Sequence, residues 1–315
     1  MQQILITGAN GQIGSDLVKK LRSTYGNNNV VGTDLKLPGH TTNGPHEIAD
    51  VTNLDQLREI ITSYKVDTIF HLASILSVTG EKHPDLAWKV NLDGLKNVLD
   101  IAVSVNAKVF WPSSIAVFGP TTPKFDTPQR TILEPETIYG ITKSAGELLC
   151  NYYHQHFGVD VRSVRYPGLI SYAAPPGGGT TDFTIDMLRA AAAGESYTCF
   201  VGPETRLPMM YMPDAVQASL QLMEADGEKI NIRTSYNIAS ISFSAAELAA
   251  EIRKTIPDFS CTYEPDFRQE IADSWPSTLD DANARHDWNW HPDFSLQAMV
   301  EDMLLHLKEP SRVAT

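Results

Sequence analysis

Cysteine is scarce in this chain, and long apolar runs are missing. The three cysteines among 315 residues, Cys150, Cys199 and Cys261, are odd in number, far apart and without CxxC spacing. That pattern argues against a disulfide framework and against a zinc site, and buried free thiols in a reducing cytoplasm are expected. The longest uncharged stretches, such as residues 166–181, are broken by proline and glycine, so none has the continuity of a membrane span. Positive charge is also in short supply. Twenty-five basic residues face 38 acidic ones, a net charge of −13, which repels phosphate backbones and anionic membrane surfaces. Neither nucleic acid nor membrane is an expected partner. Internal repeats are absent, and the nine histidines show no metal-ligand spacing, so no metal is expected. A strand-like segment beginning almost at Met1 leaves no room for a targeting peptide.

What is present is enough apolar sequence, 42%, to bury a substantial core. Strand-like and helical patterns alternate. Residues 3–7, 29–34, 66–71, 108–111 and 161–165 read as buried strands, and residues 54–63, 85–105 and 137–157 as helices. A further helix runs through Leu17, Val18 and Leu21. Parallel strands need crossovers and these are right-handed, so the alternation predicts an α/β fold, a doubly wound parallel sheet of the Rossmann type. Beyond residue 166 the texture changes to a Gly/Pro-rich stretch, a helix near 183–193 and segments without clean alternation. We read residues 1–166 as a dinucleotide-binding domain, with segments near 213–250, including 235–239 and the helix after Ser244, returning to it. Residues 167–315 are then mainly a smaller substrate-binding cap with C-terminal helices.

Gly8-x-x-Gly11-x-x-Gly14 stands between the first strand and the first helix. Glycines there permit a tight turn, close approach of a pyrophosphate and close helix packing. Alone, the triplet is as consistent with an ordinary turn. Its place at the first βα junction favours phosphate binding, with Gln12 and Ile13 in the same loop. Asp34 follows the last glycine by about 20 residues, where a carboxylate accepts from the adenosine ribose hydroxyls and repels the extra phosphate of NADP; the alternative is a solvated turn residue. NAD is therefore the expected cofactor. Asp50 and Val51, and Leu72, Ala73 and Ser74 after His71, sit near carboxyl ends of strands, where ligands bind in open α/β sheets. Simple packing competes strongly for Val51 and Leu72. Asp50 and Ser74 are the better polar contacts, and Asn91 and Tyr166 complete the cofactor set.

Tyr139 and Lys143 are four residues apart, hence on one helix face. An ammonium beside a phenol stabilises the phenolate, so the pair predicts a lowered Tyr139 pKa and a proton acceptor for an alcohol. In a bare YxxxK, a buried tyrosine and a solvated lysine are the commoner meaning. Ser113 and Ser114, after the strand at 108–111, supply hydroxyls able to polarise a substrate oxygen, although serines in that place are usually turn formers.

The glycine triplet, the serine before Ile-Ala-Val-Phe-Gly119, and Tyr139-x-x-x-Lys143 together resemble the extended short-chain dehydrogenases, the NAD-dependent epimerase/dehydratase family, over about the first 170 residues. That resemblance places the catalytic hydroxyl on Ser114, beside Tyr139 and Lys143. In the second half, Arg165-Tyr-Pro-Gly-Leu-Ile-Ser171, Pro176-Gly-Gly-Gly-Thr-Thr-Asp182, Thr205-Arg-Leu-Pro-Met-Met-Tyr211 and Ala272-Asp-Ser-Trp-Pro276 resemble the L-threonine 3-dehydrogenase branch of that family. It implies oxidation of L-threonine to 2-amino-3-oxobutanoate, with Tyr139 as base, Ser114 on the substrate oxygen and Lys143 also on the nicotinamide ribose. For the substrate's two charges, backbone N–H groups of Gly178 and Gly179 with Thr180 form a candidate anion site, and Thr181 is a further substrate contact. Asp182 is a candidate for the ammonium, and Ser74, Ser113 and Trp275 for further contacts; the glycines also suit a mobile lid, and Trp275 suits a plain core position equally. In related enzymes helices equivalent to 85–105 and 137–157 form a four-helix interface, so a homodimer is expected. Two rivals share the cofactor features. A nucleotide-sugar epimerase or dehydratase needs basic residues for a diphosphate, and the cap offers few beyond Arg206 and Arg189. A non-catalytic NAD-binding sensor usually lacks the tyrosine and lysine.

Overall fold

The structure, a computed structural model, describes residues 1–39, 42–173 and 179–308. Five strands, β1 (Ile4–Thr7), β2 (Val30–Asp34), β3 (His46–Ile48), β4 (Thr68–His71) and β5 (Lys108–Phe110), join with Val161–Arg162 in one six-stranded sheet. The order is β3-β2-β1-β4-β5 and then Val161–Arg162, all parallel. The order turns around β1, which is where such a sheet opens a ligand crevice at its carboxyl edge.

Both faces of the sheet are covered, which is why its strands are apolar throughout rather than alternating. Ile4 and Ile6 face one core with Leu17 and Leu21 of the helix Gln12–Tyr25 and with Leu222 of the helix Met212–Glu224. Leu5 faces the other, with Leu57 of Leu54–Ser63, Leu99 of Gly94–Val105 and Cys150 of Ile138–Phe157. The fold is thus the doubly wound α/β arrangement expected of a Rossmann-type chain. No helix among the described residues is long and apolar enough to cross a membrane.

A third core is built mostly from residues beyond 167, joined by Ile115, Ala116, Val117 and Phe118. The strand Arg206–Tyr211 runs antiparallel to Ile241–Ser244 and parallel to Gly168–Ile170, and Tyr197–Cys199 pairs with Cys261–Tyr263. Phe183, Leu188, Met209, Phe243, Leu248 and Met303 fill the space between them. The helix Ala245–Thr255 packs here and not on the six-stranded sheet, contrary to the reading of that segment as a return. Its start is as the sequence suggests: Ser244 and Glu247 close a reciprocal capping box. The helix Met212–Glu224 does return, and Tyr236–Asn237 pairs with Val164–Tyr166.

Several elements differ from the expectation in instructive ways. The strand at 108–111 stops at Phe110, because Pro112 has no N–H for a ladder. It resumes as Ser113–Ser114, paired now with Arg165 and Tyr166. The strand at 161–165 accordingly divides at Ser163, its first half in the main sheet and its second in a small sheet of its own. The helix at 85–105 contains a π-helical turn, Lys89–Asp93, between Pro84–Trp88 and Gly94–Val105. β3 and the short helix Ser77–Lys82 had no sequence signal of their own.

Candidate active site

The glycine loop makes the first wall. Gly8 has φ +69°, and a Cβ there would stand 2.7 Å from the Ala73 nitrogen; one on Gly14 would stand 2.2 Å from the Gly8 oxygen. Only bare backbone lets the loop fold this tightly. Gly11 begins the helix with no side-chain cap, and no acid occupies the first turn. The N–H groups of that turn lack carbonyl partners within the helix, so the end is built for an anion. Asp34 closes the same corner, accepting from the Asn10 N–H at 2.9 Å and the Leu35 N–H at 2.8 Å. The residues fit a dinucleotide: Gly11, Gln12, Ile13 and Gly14 would hold its pyrophosphate and Asp34 its ribose.

A cavity of about 250 Å³ continues from this loop towards the cap. It is bordered by Gly8, Gly11, Gln12, Ile13, Gly14, Leu72 and Ser74 on one side, Ser113, Ser114, Tyr139 and Lys143 on the next, and Tyr166, Gly179, Thr180, Thr181, Asp182 and Trp275 on the cap side. Lys143 and Asp182 are its only charged borders among the described residues. The predicted residues Asp34, Asp50, Val51, Ala73 and Asn91 do not border it. Gly178 lies outside the described residues.

Tyr139 and Lys143 project from one face of the helix Ile138–Phe157, whose start is held by Thr137 and, through the Ile138 N–H, by Glu81 at 2.7 Å. The Tyr139 hydroxyl faces Ser114, whose side chain acts to lower its pKa. The Lys143 ammonium donates to the Pro112 carbonyl at 2.7 Å and lies 4.6 Å from the centre of the Trp111 ring. The charge balance differs from the expected one. Burial pushes the Tyr139 phenol up to about 12, only partly offset by Ser114. Burial also pulls Lys143 down to about 7, against the opposing pull of Cys150 and Glu147. Desolvation outweighs Ser114 at the phenol and the acidic neighbours at the ammonium, so the Tyr139 pKa is raised and not lowered as YxxxK predicts. His71, at the end of β4, is held neutral by burial and then by Lys143, with a pKa of about 3.

Other predicted contacts are redirected. The Ser113 hydroxyl donates to buried Glu147 at 2.6 Å, although the residue borders the cavity. Tyr166 borders the cavity but spends its hydroxyl on Ala215 and Ser219. Asn91 sits in the π-helical turn and acts from behind the wall. It accepts from the Ile75 N–H at 2.8 Å and from Ser74 at 3.1 Å, and donates to the Ile75 carbonyl and to Thr142. Val51 is buried against Gly94, and Asp50 turns its carboxylate to the Thr52 N–H. Asp182 accepts from the Gly179 N–H at 2.7 Å and so shapes the cap loop. Leu76 and Ser77 also border the cavity; without a signal for the helix Ser77–Lys82, sequence reasoning had no reason to select them. Trp111 was missed as a strand residue, though its place before Pro112 and the serines marks it.

Residues 4–239 match the model of the NAD dependent epimerase/dehydratase family. This chain belongs to that family. An uncharacterized epimerase/dehydratase of Staphylococcus haemolyticus is 48% identical, covering 98% of both chains. The holo form of a GalE-like L-threonine dehydrogenase from Cupriavidus necator is 51% identical, with a TM-score of 0.95 over 97% of this chain and all of that one. A monomeric L-threonine 3-dehydrogenase from a metagenome is 48% identical, with a TM-score of 0.94 over 97% and 99%.

Proposed function

We propose that this member of the family oxidises the 3-hydroxyl of L-threonine to 2-amino-3-oxobutanoate, with NAD⁺ as hydride acceptor. The observation that carries the reading is the cavity itself. It joins the anion-binding glycine loop to Ser114, Tyr139 and Lys143, and is sized for a small molecule, with Lys143 and Asp182 its only charged borders among the described residues. A nucleotide-sugar substrate brings a diphosphate that needs basic partners, and the two cap arginines considered for it are engaged elsewhere. Arg206 pairs with Glu247 and Ser242, and Arg189 donates to the Tyr172 carbonyl. The likeness to two L-threonine dehydrogenases over nearly the full chain supports the same substrate.

In this mechanism Ser114 holds the substrate oxygen and Tyr139 takes its proton, while Lys143 would hold the nicotinamide ribose. Bound NAD⁺ supplies the hydride acceptor. The paired groups explain how a phenol with a pKa of about 12 can act as a base. Between about pH 7 and 12 the Tyr139–Lys143 pair holds one proton, as phenol with amine or as phenolate with ammonium. The second arrangement is the reactive one. On the cap side, the N–H groups of Thr180 and Thr181 are offered to the substrate carboxylate and Asp182 to its ammonium.

The chain is proposed to work in the cytoplasm, in keeping with its free thiols, and as a homodimer. Leu86, Trp88, Ile141, Leu148 and Tyr152 leave a broad apolar surface on the helices Pro84–Trp88 and Ile138–Phe157. Light scattering at micromolar concentration should give twice the 34.7 kDa chain mass; the chain mass alone would reject the dimer. The function is tested by NADH absorbance with L-threonine, L-serine, L-allo-threonine and UDP-galactose side by side. Turnover should be confined to the amino acids and greatest for L-threonine. Turnover of the nucleotide sugar with none of threonine would overturn the reading.

A further inference from the structure

Glu147 is a buried acid with no role in the mechanism above. It lies one helical turn beyond Lys143 and two beyond Tyr139, on the same helix face, and is 1% exposed. Both carboxylate oxygens are used. One accepts from Ser113 at 2.6 Å and from Arg165 Nε at 2.8 Å, the other from Arg165 Nη2 at 2.7 Å. Arg165 is 4% exposed and extends the link to the Gln129 carbonyl and to Asn237. A buried ion pair of this kind is a weak means of stabilisation, since apolar side chains of similar volume often do as well or better. Its value lies in what it aligns. Ser113 and Ser114 are consecutive in a strand and point to opposite sides, Ser113 into this network and Ser114 to Tyr139.

Building on the site assignment proposed above, we infer that Glu147 is a positioning residue, which through Ser113 and Arg165 locks the serine strand in register with the Tyr139–Lys143 face. Its charge also acts on Lys143. That ammonium is faced by His71 from β4, by Tyr139, Glu147 and Cys150 from its own helix, and by the neutral Trp111 and Pro112 from the serine strand's approach. His71 is neutral and Cys150 is held as a thiol by burial, so Glu147 is the one fixed negative charge among these groups. Removing it favours the amine over the ammonium. The pair then sheds its first proton at lower pH, and less of what remains is phenolate with ammonium.

Glu147→Gln keeps the shape and removes the charge. The wild-type Lys143 titration is followed by ¹⁵N-lysine NMR, assigned with Lys143→Met. The expected midpoint near 7 should fall by about one pH unit in Glu147→Gln, the effect of one nearby charge in a partly screened interior. With L-threonine and NAD⁺, kcat should fall about tenfold or more and its acid limb should move down in parallel. A merely structural acid would lower the melting temperature and leave both the midpoint and the pH profile in place, which would overturn the inference. If Glu147→Gln does not fold, Ser113→Ala, which leaves the ion pair intact, decides: kcat should drop several-fold with KM for NAD⁺ unchanged, and unaltered kcat would overturn it. A wild-type protein inactive on threonine would defeat the proposed substrate, while the NMR midpoints would still test Glu147.

Discussion

A buried phenol and a buried ammonium each resist being charged, and this site places them one turn apart. The desolvation of both sets how the site responds to pH. Lys143, with a value of about 7, marks the loss of the pair's first proton, so kcat/KM should rise with pH through about 7 and stay high well into the alkaline range. A bell centred below pH 6 would contradict this. Tyr139→Phe removes the proton acceptor and keeps the ring, so turnover should fall about 10²–10⁴-fold while NAD⁺ affinity, measured by calorimetry, changes little. At this scale the sequence was most informative where a residue's chemistry is its role. Tyr139, Lys143, Ser114 and the glycine loop come together as their spacing implied. Burial was not legible, and burial is what reverses the expected shift of Tyr139 and draws the Ser113 hydroxyl away to Glu147.

Elements are held by polar links that leave little trace in an apolar pattern. The π-helical turn at Lys89–Asp93 is an example: one extra residue per turn hardly disturbs the apolar spacing of a long helix, so residues 85–105 read as one regular element. Asn91 gives the turn its purpose, because its amide bonds both polar groups of Ile75 and ties them to Thr142. Asn91→Ala strands those groups in the wall of the site. It should cost about 2–3 kcal/mol in urea unfolding and raise KM for NAD⁺; an unchanged midpoint and KM would contradict the role. A second link joins sheet to helix. Asp160 meets Arg162, which in turn donates to the Leu222 and Ala225 carbonyls at the end of Met212–Glu224, and also meets Arg233. Burial works to raise the Asp160 pKa, but the two arginines prevail and hold it at about 2. A carboxylate depressed on folding contributes stability above its unfolded pKa and loses it as pH falls towards the folded one. Asp160→Asn should therefore destabilise by about 1–2 kcal/mol at pH 7, after allowance for solvent screening. The difference from wild type should fade between about pH 4 and pH 2, and a pH-independent difference would refute the assignment.

Over the whole molecule, the parallel sheet was legible because both of its faces are buried and its strands are plainly apolar. The strand pairing of the second half was not, since its strands are short and pair across long separations, as Arg206–Tyr211 does with Gly168–Ile170 and Ile241–Ser244. The helix Ala245–Thr255 could be recognised from its capping box, but nothing in its pattern said which core it would join. Yet the cap completes the site. The edge of the sheet supplies the anion-binding loop, the helix Ile138–Phe157 the proton-handling pair, and the second half of the chain contributes Thr180, Thr181, Asp182 and Trp275 to the same cavity. Only with both in place does a generic alcohol oxidation become one directed at an amino acid. The central claim, hydride transfer from C3 of L-threonine, is tested most directly with L-threonine carrying deuterium at C3. The account predicts NADH bearing that deuterium on its nicotinamide ring, one equivalent per threonine consumed. NADH without the label, or threonine left unconsumed beside NAD⁺, would contradict it.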